Sequence, residues 1–448
     1  MRLKLLPLVL LLAVAPLPGH GEDLMDAYRQ AIANDPVLAT ADATRLAVAE
    51  GVPIARSSLL PQLSGGLSME QIHGGSGGSS TDASGNLVST SSGGYTRDRA
   101  LSGQLSQSIF NLADIATLRA AHSSNDAQEQ TYRATLQNLY VRVANAYFNV
   151  LLAQDELDIN KSYEDAYKQE FAQTSVRFKN GLAMSADVNQ ANAYYLYIKS
   201  QRISSQDALR DARRALQQIT GQPVANLKTL REELPMQAPV PSDPDAWADA
   251  ATKANPVMLA ARYTVAADEH KVTAARAGHL PTLSAGVDYD KFGQWSNRIP
   301  GSAAYGTGTT TLGLTLTVPI FSGGLTQAQV GQAIHQRDAD AATLESQRRQ
   351  AARDAYNYYN LVVDGIEQVD TARVSVESAR KSLTSLRAGY EIGTQRLTDV
   401  VYAIELLAET RFTYTQQRYQ FVLNQLLLKQ AAGSIDVKDM EDINRLLE

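Results

Sequence analysis

The sequence predicts a duplicated, mixed α and β membrane protein in which each half joins one strand hairpin to a pair of long coiled-coil helices. Three observations carry this expectation: an internal repeat, a proline distribution that vacates two long stretches, and two places where apolar and polar residues alternate strictly. Asn34-Asp35-Pro36-Val37 returns as Ala254-Asn255-Pro256-Val257, and Ala55-Arg56-Ser57-Ser58-Leu59-Leu60-Pro61 as Ala275-Arg276-Ala277-Gly278-His279-Leu280-Pro281, both 220 residues later. Ser108-Ile109-Phe110 is echoed by Pro319-Ile320-Phe321, Tyr147-Phe148-Asn149-Val150 by Tyr358-Tyr359-Asn360-Leu361, and Gly181 with Asp187 by Gly393 with Asp399, at offsets of 211 to 212. A period of this length marks a duplicated architectural unit rather than a short solenoid repeat.

The first 21 residues carry Arg2 and Lys4, then an apolar run from Leu5 to Val14, then small residues and prolines, which is the pattern of a secretory signal peptide. Its removal lowers the formal net charge from −6 to about −8. An acidic balance of that size argues against nucleic acid as a partner. The chain has no cysteine, so neither disulfides nor an acylated N-terminal cysteine is expected. No stretch after the leader is apolar for the roughly 20 residues that a spanning helix needs. Entry into a membrane would require another route.

All fifteen prolines lie at or before Pro61, between Pro223 and Pro281, or at Pro300 and Pro319. A proline inside a helix costs about 3 kcal/mol, so the vacated stretches read as long helices. Repeat 1 spans 22–221: a helix, a β-hairpin over about 62–110, a long helix 112–180 and a helix 182–220. A linker occupies 222–243. Repeat 2 spans 244–433: a helix, a β-hairpin over about 281–320, a long helix 325–390 and a helix 394–432, followed by a tail, 434–448. Within the helices, apolar residues recur every seven positions, as in Leu136, Val143, Val150 and Leu157, in Tyr132, Leu139, Ala146 and Ala153, and in Val400, Leu407, Tyr414, Phe421 and Leu428. Sustained heptads predict coiled-coil packing.

In the hairpins, Leu63, Gly65, Leu67 and Met69 alternate with Ser64, Gly66, Ser68 and Glu70, and Leu312, Leu314, Leu316 and Val318 with Gly313, Thr315 and Thr317. Strict alternation predicts strands, and about 9 to 11 tilted residues cross a bilayer. Residues 73 to 96 read as a Gly/Ser surface loop ending in Tyr95, and Trp295 and Tyr305 lie between the strands of the second hairpin. Aromatics there, with Phe110 and Phe321 at the opposite ends, fit the interfacial girdles of an outer-membrane barrel. Four strands cannot close a barrel, for which eight is about the minimum, so several chains must share one.

Taken together, Leu24-Met25-Asp26-Ala27-Tyr28, Leu60-Pro61-Gln62-Leu63, Gln107-Ser108-Ile109-Phe110, Ala146-Tyr147-Phe148-Asn149-Val150, Leu216-Gln217-Gln218-Ile219-Thr220-Gly221, Gly389-Tyr390, Gly393-Thr394 and Thr398-Asp399-Val400 resemble, in order and spacing, the motifs of the TolC family of outer-membrane efflux and secretion channels. The resemblance covers essentially the whole mature chain, and the missing lipidation cysteine places it closer to the family's founding member than to the lipid-anchored branch. It implies a homotrimer in which each chain gives four strands to a 12-stranded outer-membrane β-barrel continuous with a long periplasmic α-helical barrel, while 222–243 and the C-terminal tail form an equatorial belt. It further implies a non-enzymatic exit duct embedded in outer-membrane lipid, serving a tripartite efflux pump or a type I secretion system. Its expected partners are a periplasmic adaptor and an inner-membrane transporter of the RND, ABC or MFS type.

The resemblance also places a periplasmic gate at the helix turns around Gly181 and Gly393. Asp399 matches the first aspartate of the family's constriction, and Tyr402 stands where the second is expected, with Glu405 a turn further on. Tyr390 and Asp187 match a tyrosine and an aspartate that tie helix pairs shut. Gln395 replaces the arginine of that network, with Arg396 beside it, and Ala186 replaces its threonine. Read from the residues alone, Asp187 and Asp399 can be helix-capping carboxylates, each shortly after a breaking glycine, and the two roles can coexist. No cofactor, metal or catalytic constellation is expected, because the six histidines include no pair at ligand spacing on a helix and there are no thiols. A secreted coiled-coil rod or adhesin is the competing class, and an exported hydrolase a third.

Overall fold

The computed structural model describes residues 22–224, 226–296 and 303–448, so the predicted leader, residues 1–21, lies outside the described residues. In chain order come α1 (Leu24–Asn34), α2 (Pro36–Ala49), α3 (Gly51–Ser57), β1 (Gln62–Thr81), β2 (Leu87–Phe110), α4 (Leu112–Lys179) and α5 (Ser185–Thr220). The second half holds α6 (Pro244–Ala254), α7 (Pro256–Ala277), β3 (Thr282–Ser296), β4 (Ala303–Tyr305), β5 (Thr309–Thr317), α8 (Leu325–Glu391), α9 (Leu397–Ala431) and α10 (Val437–Asn444). Among the described residues no helix is long and apolar enough to cross a membrane.

Two expectations are corrected. Where one helix was expected before each hairpin, the chain breaks at Asp35 and Asn255, each of which precedes a proline and is extended, with ψ of 117° and 125°. Proline's ring forces its predecessor out of the helical region. Both break residues then cap the next helix: Asp35 Oδ2 accepts from the Leu38 N–H at 2.9 Å and Asn255 Oδ1 from the Val257 N–H at 2.8 Å. The Gly/Ser stretch 73–96 is likewise no loop. The β1–β2 ladder runs through it to Thr81↔Leu87, because small residues leave the backbone free to pair even though they carry no periodic apolar signal. The reversal is confined to Asp82–Asn86, where Asp82 Oδ1 accepts from the N–H groups of Ser84 and Asn86, both at 2.9 Å, and Gly85 takes φ of +80°.

The chain divides into two compact units. The first comprises residues up to 39 with 135–251 and 352–448. Its core is a coiled coil, and the predicted heptad residues Leu139, Val143, Ala146, Val150, Ala153 and Leu157 are all buried in it. The alanines let Leu209 and Leu216 of α5 approach closely. The segment after α5 and the C-terminal tail are tied to each other by backbone, Thr229 and Glu448 exchanging N–H···O bonds of 3.0 and 2.9 Å, and the buried Tyr147 hydroxyl of α4 donates to the carbonyls of Glu22 and Lys228. Asn34 Nδ2 donates to Thr220 O at 2.9 Å, closing α1 onto the end of α5. Arg142 grips the buried Asp35 through both carboxylate oxygens, at 2.6 and 3.2 Å.

The second unit comprises 40–134 and 252–351. Its antiparallel sheet has the order β1-β2-β3-β5, with β4 paired to the tip of β3. Rungs such as Leu63↔Leu105↔Val287↔Leu312 put the aliphatic residues of four strands on one face. Leu63, Leu67, Met69, Leu312, Leu314 and Leu316 are 64–80% exposed there. The other face carries Ser, Thr, Gln, Asp and Glu. Beyond β5, Ile320 and Phe321 lie outside the strand and are exposed.

Burial alone would raise the Asp35 carboxyl, but the Arg142 guanidinium and backbone N–H bonds hold it below the usual carboxylate range. A depressed folded value means that the pair stabilises the fold above about pH 4 and loses that contribution as pH falls through the folded value. We expect Arg142→Ala to cost about 3 kcal/mol at neutral pH, with the gap from the parent protein narrowing in acid, as read by denaturant unfolding across pH.

Candidate functional site

The expected gate lies at two chain reversals built alike. At the end of α4 the Leu182 N–H donates to Arg177 O at 2.8 Å and the Gly181 N–H to Phe178 O at 2.9 Å. At the end of α8 the Thr394 N–H donates to Gly389 O at 2.9 Å and the Gly393 N–H to Tyr390 O at 3.1 Å. Both are Schellman closures, which need a left-handed residue, and Gly181 and Gly393 have φ of +73° and +84°. A Cβ on either would meet nothing within 4 Å, so the backbone angle selects glycine here, not space. Gly389 is chosen for the opposite reason, since its Cβ would lie 2.6 Å from Gln395 Cγ.

After each reversal an aspartate stands at the third position of the next helix. Asp187 Oδ2 accepts from the Met184 N–H at 3.0 Å, and Asp399 Oδ2 from the Arg396 N–H at 3.1 Å. Each carboxylate binds a donor that the helix start leaves free and sits at the positive end of the helix dipole. The capping role therefore exists, although the aspartate sits at the third helical position rather than at the cap itself. Both carboxylates remain half-buried, Tyr402 is 65% exposed, and Glu405 and Gln395 are exposed.

Behind the turns, the first unit closes a four-helix core. Tyr163 and Tyr167 of α4, Ala191 and Ile198 of α5, and Leu397, Val400, Val401 and Ile404 of α9 are buried together, with Leu383, Leu386 and Tyr390 of α8 packed on them. Tyr167 stacks on Tyr194 at 5.9 Å and Phe171 on Tyr195 at 6.4 Å. Tyr390 is not joined to Asp187 within the chain. Its hydroxyl lies 3.5 Å from Thr174 Oγ1, and Arg177 sits 4.8 Å over its ring and donates to its carbonyl at 3.4 Å. Thr174 is fully buried, and so is nearly all of Glu170, one turn earlier, whose Oε1 has no hydrogen-bond partner among the described residues. Burial pushes the Glu170 carboxyl up, against the pull of Arg387 and Arg177. Sequence reasoning missed Glu170, Thr174 and Arg177. The one available signal was a basic residue in the last turn of α4, where the helix dipole favours a cation.

Comparison with known proteins places the chain. The profile of the "Outer membrane efflux protein" family matches residues 27–222 and 247–434. The chain is 30% identical over 453 residues to "Outer membrane protein TolC" of Escherichia coli (strain K12), covering 99% of this chain and 89% of that one. It is 25% identical over 425 residues to "Alkaline protease secretion protein AprF" of Pseudomonas aeruginosa, covering 93% and 86%. The Campylobacter jejuni CmeC outer membrane channel shares the fold, with a TM-score of 0.77 at 20% identity over 95% of this chain and 90% of that one.

A buried carboxylate whose folded pKa is raised penalises folding once its unfolded counterpart ionises, so the penalty is absent in acid and grows as pH rises above about 4. Glu170→Gln is expected to raise the melting temperature at pH 7, with the gain shrinking as pH drops below that range; thermal unfolding at several pH values checks both signs.

Proposed function

Because the chain belongs to the outer membrane efflux protein family and is an exit channel of the outer membrane, we propose that three copies close one twelve-stranded barrel and that the turns at Gly181 and Gly393 form its periplasmic gate. One observation carries the trimer: among the described residues β1 and β5 each have a strand neighbour on one side only, in a sheet whose outer strands expose Leu63, Leu67, Leu312 and Leu314. In hydrocarbon every unpaired backbone group costs several kcal/mol, so a spanning sheet has to close, and four strands cannot close alone. Edge pairing between copies satisfies both free edges and turns the aliphatic face to lipid.

The duct passes what an inner-membrane transporter of the RND, ABC or MFS type delivers through a periplasmic adaptor. The relative named for secretion of an alkaline protease and the efflux family itself support polypeptides and small solutes alike as cargo. The exposed apolar side chains at the turns, Leu182, Met184 and Ile392, offer the adaptor a footing. No catalytic role is assigned to any residue.

At the gate, three Asp399 carboxylates face the axis and favour cations, since like charges brought together attract counter-ions and resist full closure. Tyr402 replaces a second acidic ring with exposed aromatic surface. With Gln395 where the family's arginine stands, Arg177 takes over the hold on Tyr390, supported by Thr174, so that much of the latch lies within one chain.

Detergent-extracted protein should have a trimer's mass and give small, cation-selective steps in planar bilayers; a monomer without steps would overturn the duct. Asp399→Ala should reduce cation selectivity with conductance retained. Tyr390→Phe, which keeps the ring under Arg177 but loses the hydroxyl, should raise leak less than Arg177→Gln, and equal leak in both would reject the intrachain latch.

A further inference from the structure

The sheet segregates its charges by face. Within the described strands the cations are Arg97, Arg99 and Lys291 and the anions Glu70, Asp98, Asp288 and Asp290. The register Leu67↔Leu101↔Lys291, with Arg99 and Arg97 two and four residues from Leu101, puts all three cations on the aliphatic face. Glu70↔Asp98↔Gln294 and Gln104↔Asp288 put the acids on the other. Among the described residues none of the three cations takes part in an ion pair, so charge alternation along the strands does not explain them.

Depth does. Lys291 and Trp295, the latter opposite Arg97, stand eight and twelve residues beyond Leu283, roughly 27 and 40 Å of strand. A tilt of about 45° makes these roughly 19 and 28 Å along the membrane normal, which brackets the upper border of an apolar band about 25 Å tall. The Arg97 guanidinium is held between the rings of Tyr95 and Trp295, at 4.9 and 5.1 Å, and its Nε donates to Gln71 Oε1 at 2.6 Å. Opposite Arg99 stands Gly293, beside which a Cβ would meet nothing within 4 Å. An open cleft of about 800 Å³ here is lined by Leu67, Leu101, Trp295 and the three cations, together with the backbone turn at Gly306 and Gly308.

Resting on the reading of this sheet as a barrel wall, we propose that this cleft binds the phosphate-bearing headgroup of an anionic glycolipid in the outer leaflet, with an acyl chain lying on Leu67 and Leu101. Arg97 and Arg99 present forked donors suited to phosphate oxygens, Lys291 adds a point charge, and the aromatic clamp fixes Arg97 before binding. A neutral or zwitterionic lipid would leave three cations at the hydrocarbon border unpaired.

The test is native mass spectrometry of the detergent-purified full chain with bisphosphorylated lipid A, with dephosphorylated lipid A and with inorganic phosphate. We expect retention of the bisphosphorylated form only, weakened on the order of a hundredfold in the triple variant R97Q/R99Q/K291Q and roughly fivefold in Arg99→Gln alone. Equal retention of the dephosphorylated lipid, or undiminished binding by the Gln variants, overturns the proposal, and binding of inorganic phosphate at matching strength overturns its lipid component. Single-channel conductance run in parallel separates the two readings: a parent protein without pores defeats the duct, whereas conducting Gln variants that keep lipid A defeat only this site. Arg99→Gln, an exposed single change, keeps the question decidable should the triple variant fail to assemble.

Discussion

The backbone of a strand in hydrocarbon has no water to bond, and this one constraint organises the chain. It excludes an open sheet and makes a chain with four strands depend on its neighbours. It also explains why the strands alternate so strictly, because a shift of one residue would turn every leucine of the face toward the lumen and every threonine toward lipid. The same alternation sorts charge, sending the acids to one face and the cations to the other.

The helical part solves a different problem. Coiled-coil helices of 68 and 67 residues must reverse and return without loose loops, and both reversals use one device: a left-handed glycine that completes a Schellman closure, followed by an aspartate bonded to the next helix start. Duplication supplied the device twice, and divergence made the copies unequal. The turn at Gly393 carries Tyr390 and a glycine that admits Gln395, whereas the turn at Gly181 has Phe178 and no such crowding. Elsewhere, paired breaks ahead of Pro36 and Pro256 bend the chain where a capping side chain was already in place. Arg142 then locks the first of these breaks to α4.

Much of the architecture was legible because it is periodic. The heptads from Leu139 to Leu157 are buried as their spacing implies, since a seven-residue repeat keeps one stripe of a helix facing its partner. The leucines of β1 and β5 share a face as alternation implies. Illegible were features without period. The Gly/Ser part of the first hairpin looks like a loop in sequence because it carries no periodic apolar signal, yet its backbone pairs residue by residue. Phe321 and Ile320, whose match to Ile109-Phe110 suggested a strand end, lie beyond β5, where the second hairpin is the shorter one.

The duplication, the helical territories, the two hairpins and the glycine turns are set by the linear order of residues, because each is written in local chemistry: proline exclusion, repeat spacing, and a backbone angle that only glycine adopts freely. Who meets whom is settled only by packing in three dimensions. Thr174 and Arg177 reach Tyr390 from more than 200 residues away, and Arg97 finds Trp295 only through the register of two strands from different repeats. Contacts of that range depend on how helices and strands pack, and side-chain identity read along one chain does not specify its partner across space.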